Sequence, residues 1–202
     1  MDMLAYEKKY LDAGYKKIAG IDEVGRGPLA GPVCAAAVIL PPGLVIDGIN
    51  DSKKLTEKKR EKLYEIIAKE AIAWAVAYVE PEEIDRINIR QATHLAMEKA
   101  VEALEIPADF LLVDGNDKIP FSVSSEYIIK GDANSQSIAA ASIMAKVTRD
   151  RYMVSMEETY PGYGFAKNKG YGTQAHMEGI REIGLCPLHR RSFITAKVLG
   201  KE

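Results

Sequence analysis

Two apolar runs of strand length, residues 17–24 and 33–40, are separated only by the glycine- and proline-rich stretch 25–32. Parallel strands need a crossover of a dozen or more residues, so a link this short makes the pair antiparallel. The rest of the chain has to pack on that hairpin. Residues 56–71 carry the helical spacing Leu63, Ile66, Ile67 behind a capping Thr56, and residues 72–79 alternate as a third strand. Pro81 suits a first helical position, and Ile84, Ile87, Leu95, Ala96 and Leu104 continue a helical pattern with a break near Asn88. Residues 110–113 are wholly apolar and end at Asp114-Gly115, as a central strand buried on both faces does. Residues 122–130 read as a fifth strand. Residues 135–160 read as a long helix, and the small side chains at 138–145 let it lie close to a sheet. After a Gly- and Lys-rich loop, 161–172, Thr173 caps a helix that ends at Gly184, and a last helical piece runs over 189–199. Interleaved strands and helices predict an α/β layered domain, a mixed five-stranded sheet flanked by helices with a C-terminal helical segment.

The 202 residues, 47% of them hydrophobic, suit one domain spanning 1–202, with 161–202 as a basic loop and helical segment packed on it. The opening stretch 1–17 is charged and tyrosine-rich and lacks the apolar core of a signal peptide. No later stretch has the length to span a bilayer, so the expected location is the cytoplasm. Cys34 and Cys186 show no CxxC spacing and read as buried or incidental thiols. The net charge of -2 conceals an uneven distribution. Residues 1–145 hold 17 Lys+Arg against 23 Asp+Glu, whereas residues 146–202 hold 10 against 6. A second basic concentration, Lys53, Lys54, Lys58, Lys59, Arg60 and Lys62, forms either a positive face for nucleic acid or an ordinary solvated helix face.

Four carboxylates stand where the strands end. Asp22 and Glu23 close the first strand, and neighbours on a regular strand point to opposite faces. Both serve one site only if the strand ends or bends there, which Gly25 and Gly27 permit. Asp114 follows the apolar run 110–113 directly, at the strand end where ligands gather in open α/β sheets. Asp132 follows the fifth strand and competes with a helix-capping role, for which Asn134, Ser135 and Ser137 are also available. With no His or Cys cluster nearby, such a set is a hard oxygen site suited to Mg²⁺ or Mn²⁺. Two such ions can activate a water and stabilise the leaving oxygen of a phosphodiester. Acid/base work on a glycoside uses the same residue types but needs only a pair.

The segment Gly20-Ile21-Asp22-Glu23-Val24-Gly25-Arg26-Gly27-Pro28-Leu29-Ala30-Gly31-Pro32-Val33 closely resembles the first signature of bacterial ribonuclease HII, the type 2 ribonuclease H family. Further blocks follow in order: Asn50-Asp51-Ser52-Lys53-Lys54-Leu55, Val113-Asp114-Gly115, Lys130-Gly131-Asp132, Ala139-Ala140-Ala141-Ser142-Ile143 with Ala145-Lys146-Val147, Arg149-Asp150-Arg151, Lys169-Gly170-Tyr171-Gly172-Thr173 with His176, and Cys186-Pro187 with His189-Arg190-Arg191-Ser192-Phe193. The resemblance implies a ribonuclease H-like fold in which Asp22, Glu23, Asp114 and Asp132 are catalytic and hold Mg²⁺ or Mn²⁺, two ions during catalysis. It also implies that Gly25, Arg26 and Gly27 recognise a ribose 2′-OH and that Tyr171 packs on the adjoining nucleotide. Glycines let a backbone approach that hydroxyl, the group by which a protein tells RNA from DNA.

Lys53, Lys146, Lys167, Lys169 and Arg26 are candidate phosphate contacts, Lys53 first among them. Ser142 either aligns the nucleic-acid strand or packs, and His176 either touches the site or packs. His94 and His189 read as structural. The expected activity is cleavage of the RNA strand of RNA/DNA hybrids and of duplex DNA on the 5′ side of single ribonucleotides, leaving 3′-OH and 5′-phosphate ends. Those duplexes are the expected partners of a monomer, and no tail motif for a sliding clamp is evident. A resolvase-like DNA nuclease has no 2′-OH to read, and a noncatalytic hybrid binder has no need of four carboxylates.

Overall fold

The computed structural model describes residues 2–49 and 52–201. Asn50 and Asp51 of the second sequence block lie outside the described residues, as does the side chain of Lys53. Strands β1 (Ile18–Val24), β2 (Val33–Ile39), β3 (Ala73–Val79), β4 (Phe110–Asp114) and β5 (Ser125–Ile128) form one sheet in the order β3-β2-β1-β4-β5. β2 pairs antiparallel with β1 on one side and with β3 on the other, whereas β4 runs parallel to β1 and β5 parallel to β4. The mixed sheet expected from the sequence is therefore present. Ile21 pairs with Val113, so the carboxyl ends of β1 and β4 lie side by side and carry Asp22 and Asp114 to one end of the sheet.

Both faces of the central strands are covered, which explains why their sequences are continuously apolar rather than alternating. Ala19, Ile21, Ala35 and Ala37 meet Ala92, Ala96 and Met97 of α4 (Ile89–Glu102). On the other face Cys34, Ala36 and Val38 meet Leu63 and Ile67 of α2 (Glu57–Glu70) and Ala140 and Ile143 of α5 (Gln136–Thr159). A side chain on Gly20 would place its first carbon 2.0 Å from the carbonyl carbon of Ser137. Only glycine lets the start of α5 press so closely on β1. The break near Asn88 separates α3 (Pro81–Ile87) from α4. Asn88 sits at φ 70 and its side chain accepts hydrogen bonds from the amides of Arg90 and Gln91, a cap that asparagine tolerates in the left-handed region.

The first helix, α1 (Ala5–Asp12), goes beyond the sequence reading. Its contact face is built mainly from tyrosines and a carboxylate, with Leu11 the aliphatic member. Tyr10 stacks on Phe110 with ring centroids 3.7 Å apart, and buried Glu7 accepts hydrogen bonds from the Ser135 hydroxyl and the Ser137 amide at 2.7 and 2.9 Å. A carboxylate at that place satisfies one of the free amides that open α5 and complements the helix dipole.

Two expectations need correction. The fifth strand is shorter than 122–130, because Lys130 turns into the left-handed region and Gly131–Ala133 form a 3-10 turn. Residues 189–199 are not one helix. His189 bridges Ala30 in extended backbone, Arg191–Phe193 form a 3-10 turn, and only Ala196–Leu199 (α8) close a helical turn. The buried Arg190 pins that stretch to the β1–β2 connection, which a continuous helix would not reach. The loop 161–172 contains a short α6 (Phe165–Asn168), and α7 (Gln174–Ile183) follows Thr173 as expected. Tyr163, Phe165, Ile180, Leu188 and Val198 pack with Ala30 and Met153, so the C-terminal segment shares a core with the hairpin loop and α5.

Candidate active site

β1 keeps its register through Val24 rather than ending or bending at the acidic pair, so Asp22 and Glu23 share one end of the sheet but point to opposite faces. Asp22 is buried on the α5 side, where one carboxylate oxygen accepts the Glu23 amide at 2.7 Å and the Ser142 hydroxyl supplies a further hydrogen bond. Ser142 lies 2.9 Å from the Ser52 hydroxyl, which ties Asp22 through two hydroxyls to the turn Ser52–Lys54. Glu23 and Asp114 share a cleft of about 130 Å³ with Arg26, Arg90, Thr93 and His94. Asp114 accepts the Gly131 amide at 2.6 Å, so the turn that carries the buried Asp132 is tied to the same cleft. The capping alternative for Asp132 goes instead to Ser135, whose hydroxyl accepts from the Ile138 amide at 3.3 Å.

The charges in this group are poorly balanced. Burial, then the charges of Glu23 and Asp114, push the Asp22 carboxyl well above the usual carboxylate range. Burial and Asp114 likewise raise Glu23, against the opposing guanidinium of Arg26, which stands 3.4 Å away. Among the described residues no three His, Cys, Asp or Glu side chains are already gathered as a metal cage. Carboxylates crowded at one end of the sheet, with Asp22 and Glu23 raised by burial and by neighbouring charge, nevertheless form an oxygen-only donor set to which a hard divalent cation is fitted, because it supplies the missing positive charge.

Gly25, Arg26 and Gly27 lie beside these carboxylates, and a sequence-distant pair of arginines holds them there. Arg190, fully buried, donates to the carbonyls of Gly25, Arg26 and Gly31 at 2.6, 3.0 and 2.9 Å. Arg149, also fully buried, donates to the carbonyls of Pro32, Ala30 and Lys169. Gly25 sits at φ +88, and a side chain there would strike the Arg149 guanidinium. Tyr171 is 43% exposed, and its ring lies next to the loop, with Cε1 4.0 Å from where a Gly27 side chain would begin.

A family model described as Ribonuclease HII matches residues 19–196. The chain belongs to the ribonuclease HII family. A Ribonuclease HII from Geobacter sp. (strain M21) is 55% identical over 197 residues, covering 98% of this chain and 86% of that one. The crystal structure of ribonuclease H2 from Pyrococcus horikoshii OT3 superposes with a TM-score of 0.77 at 28% identity, covering 92% of this chain and 98% of that one. A Bst-RNase HIII structure in complex with Mn²⁺ shares the fold, with a TM-score of 0.69 at 20% identity over 92% of this chain and 69% of that one. As a member of the ribonuclease HII family the protein is a hydrolase with ribonuclease H activity.

Within this ribonuclease HII fold the remaining candidates are dispersed. Lys146 is half-buried and paired with Asp150 at 2.7 Å, one helical turn on. Lys167 is exposed, whereas the Lys169 ammonium turns back onto the Ala166 carbonyl. His176 is fully buried and His94 pairs with Asp117 at 2.8 Å on the cleft wall. Cys34 is buried in the sheet, and Cys186 contacts His189. Sequence reasoning missed Arg149 and Arg190 as partners of the loop. Their membership of family blocks was the available signal, but an arginine in a basic segment reads first as a surface cation.

Proposed function

We propose that the enzyme cuts duplex DNA on the 5′ side of single embedded ribonucleotides, and the RNA strand of RNA/DNA hybrids, leaving 3′-OH and 5′-phosphate ends. Asp22, Glu23, Asp114 and Asp132 would hold two Mg²⁺ or Mn²⁺ ions, which supply an activated water and charge for the leaving oxygen. Backbone groups of Gly25, Arg26 and Gly27 bind the ribose 2′-OH at the cut. The Tyr171 ring stacks on the adjoining nucleotide, where no ribose is required. Lys53 and Lys146 take phosphates, the latter by exchanging its partner Asp150. Ser142 supports the site indirectly, by orienting Asp22. The single observation that carries this reading is the half-exposed Tyr171 ring, with Cε1 4.0 Å from where a Gly27 side chain would begin, on the loop whose Arg26 lines the acidic cleft.

The test is incubation of a DNA duplex containing one ribonucleotide, with and without Mg²⁺, followed by mapping of the cut. Metal-dependent scission on the 5′ side of the ribonucleotide is the expected result. A cut that ignores the ribonucleotide, or none there while long hybrids are degraded, removes the junction-reading part of the proposal.

A further inference from the structure

We infer that the segment Cys186–Arg190 is a gauge that sets the spacing between the ribose-binding loop and the Tyr171 ring, with His189 and Arg190 as positioning residues. The inference rests on the function proposed above and names what holds its two reading elements in register.

Two adjacent residues face opposite ways from this segment. Arg190 uses its guanidinium on Gly25 and Arg26 and its own amide on the Leu29 carbonyl at 2.9 Å. Occupying the carbonyls of Gly25 and Arg26 on the buried side fixes the orientation of those peptide planes and so of the amides available to a ligand. His189 faces the other element. Its Nε2 lies 3.1 Å from Nε2 of His176, and Nδ1 of His176 lies 2.9 Å from the Tyr171 carbonyl.

The shortest contact at the outer nitrogen of each ring assigns the protons along this chain. A carbonyl only accepts, so His176 carries its proton on Nδ1 and offers a lone pair at Nε2. His189 must then donate from Nε2, which leaves its Nδ1 to accept, and the Cys186 amide donates to it at 2.9 Å. One directional chain thus runs from the Cys186 turn to the backbone of Tyr171. The rings of Tyr163 and Phe165 pack against both imidazoles, and the Cys186 sulfur and carbonyl also lie 3.2 and 3.3 Å from Nδ1 of His189. The antiparallel bridge between Ala30 and His189 joins the same segment to the β1–β2 connection. Neither Arg190 nor the histidine pair lines the acidic cleft.

Three full-length variants test this: Arg190→Met, Arg190→Lys, which keeps charge without the planar fork, and His176→Phe. The readouts are kcat and KM on a single-ribonucleotide duplex, Mn²⁺ affinity by calorimetry, and melting temperature. Misplacement of a reading group by about 1 Å costs on the order of 100-fold in rate. Both Arg190 variants are therefore expected to lose at least about tenfold in kcat while KM and Mn²⁺ affinity stay near wild type. His176→Phe is expected to lose as much as Tyr171→Ala, and the two together no more than either alone. Wild-type kcat in both Arg190 variants, additive losses for His176→Phe and Tyr171→Ala, or a parallel fall in Mn²⁺ affinity would overturn the inference. So would failure of all three variants to fold, which makes the segment plain core. If the wild type itself spares the ribonucleotide, the proposed function fails; if it cuts there and the variants match it, only the gauge fails.

Discussion

The Nε2 atoms of His176 and His189 face each other at 3.1 Å, a distance that accommodates one proton between two neutral rings. Burial, then the neighbouring His176, push His189 down to about 4, and burial lowers His176 as well. The groups packed around the pair are Cys186, Tyr163, Phe165 and the Tyr171 carbonyl, none of them a carboxylate.

This arrangement predicts an acid-labile C-terminal core. The unfolded chain binds protons on both imidazoles near their ordinary pKa, whereas the folded chain resists until lower pH. The stability is therefore complete above about pH 6.5 and is lost as pH falls toward 4. Urea unfolding between pH 7.5 and 4.5 should show a steeper decline for wild type than for His189→Gln. Equal slopes would mean that the histidines are not the acid-sensitive element.

Asp114→Asn and Asp22→Asn should each abolish most activity, by roughly 100-fold or more, because the lost charge served a metal ion rather than the core. Circular dichroism should report intact folding, and for Asp22→Asn stability should rise or hold, since a buried charge raised by its neighbours has been removed. Full activity of Asp114→Asn at ordinary Mg²⁺ would dispose of the two-metal model.

Affinity for hybrid duplex should fall steeply with salt despite the net charge of -2, because the exposed cations of residues 146–202, which exclude the buried Arg149 and Arg190, and those of 53–62 act locally. A plot of log affinity against log salt gives the number of phosphates neutralised. A flat line would exclude these surfaces from binding.

Tyr171→Ala should slow cleavage by the ~1–3 kcal/mol that one stacked base contributes, and Tyr171→Phe should retain more activity. Single-turnover rates on one substrate decide the matter. Equal damage from the two substitutions would assign the work to the hydroxyl.

Much of the fold was legible because β1, β2 and β4 are apolar on both faces, with glycine just after β1 and β4, and because Thr56, Asn88, Ser135 and Thr173 cap helices through their own side chains. The carboxylates were legible for the same reason: each follows an apolar run or a turn. The contacts that organise the site were not. Arg190 reaches Gly25 across most of the chain, and no periodicity or local spacing encodes a guanidinium on three carbonyls. α1 escaped because tyrosines and a carboxylate make up most of its contact face, and the 189–199 segment reads as helical only if Arg190 is taken as a surface residue.

The order of these parts along the chain has a consequence for synthesis. All four carboxylates, Asp22 to Asp132, leave the ribosome well before Arg190 does. A nascent chain can therefore complete its sheet and its acidic cleft while the loop at Gly25 to Gly27 still lacks its buried clamp. The clamp is thus the last of these parts to be made, and a chain stalled before residue 186 would hold the acidic cleft with neither Arg190 behind the loop nor the histidine pair behind Tyr171.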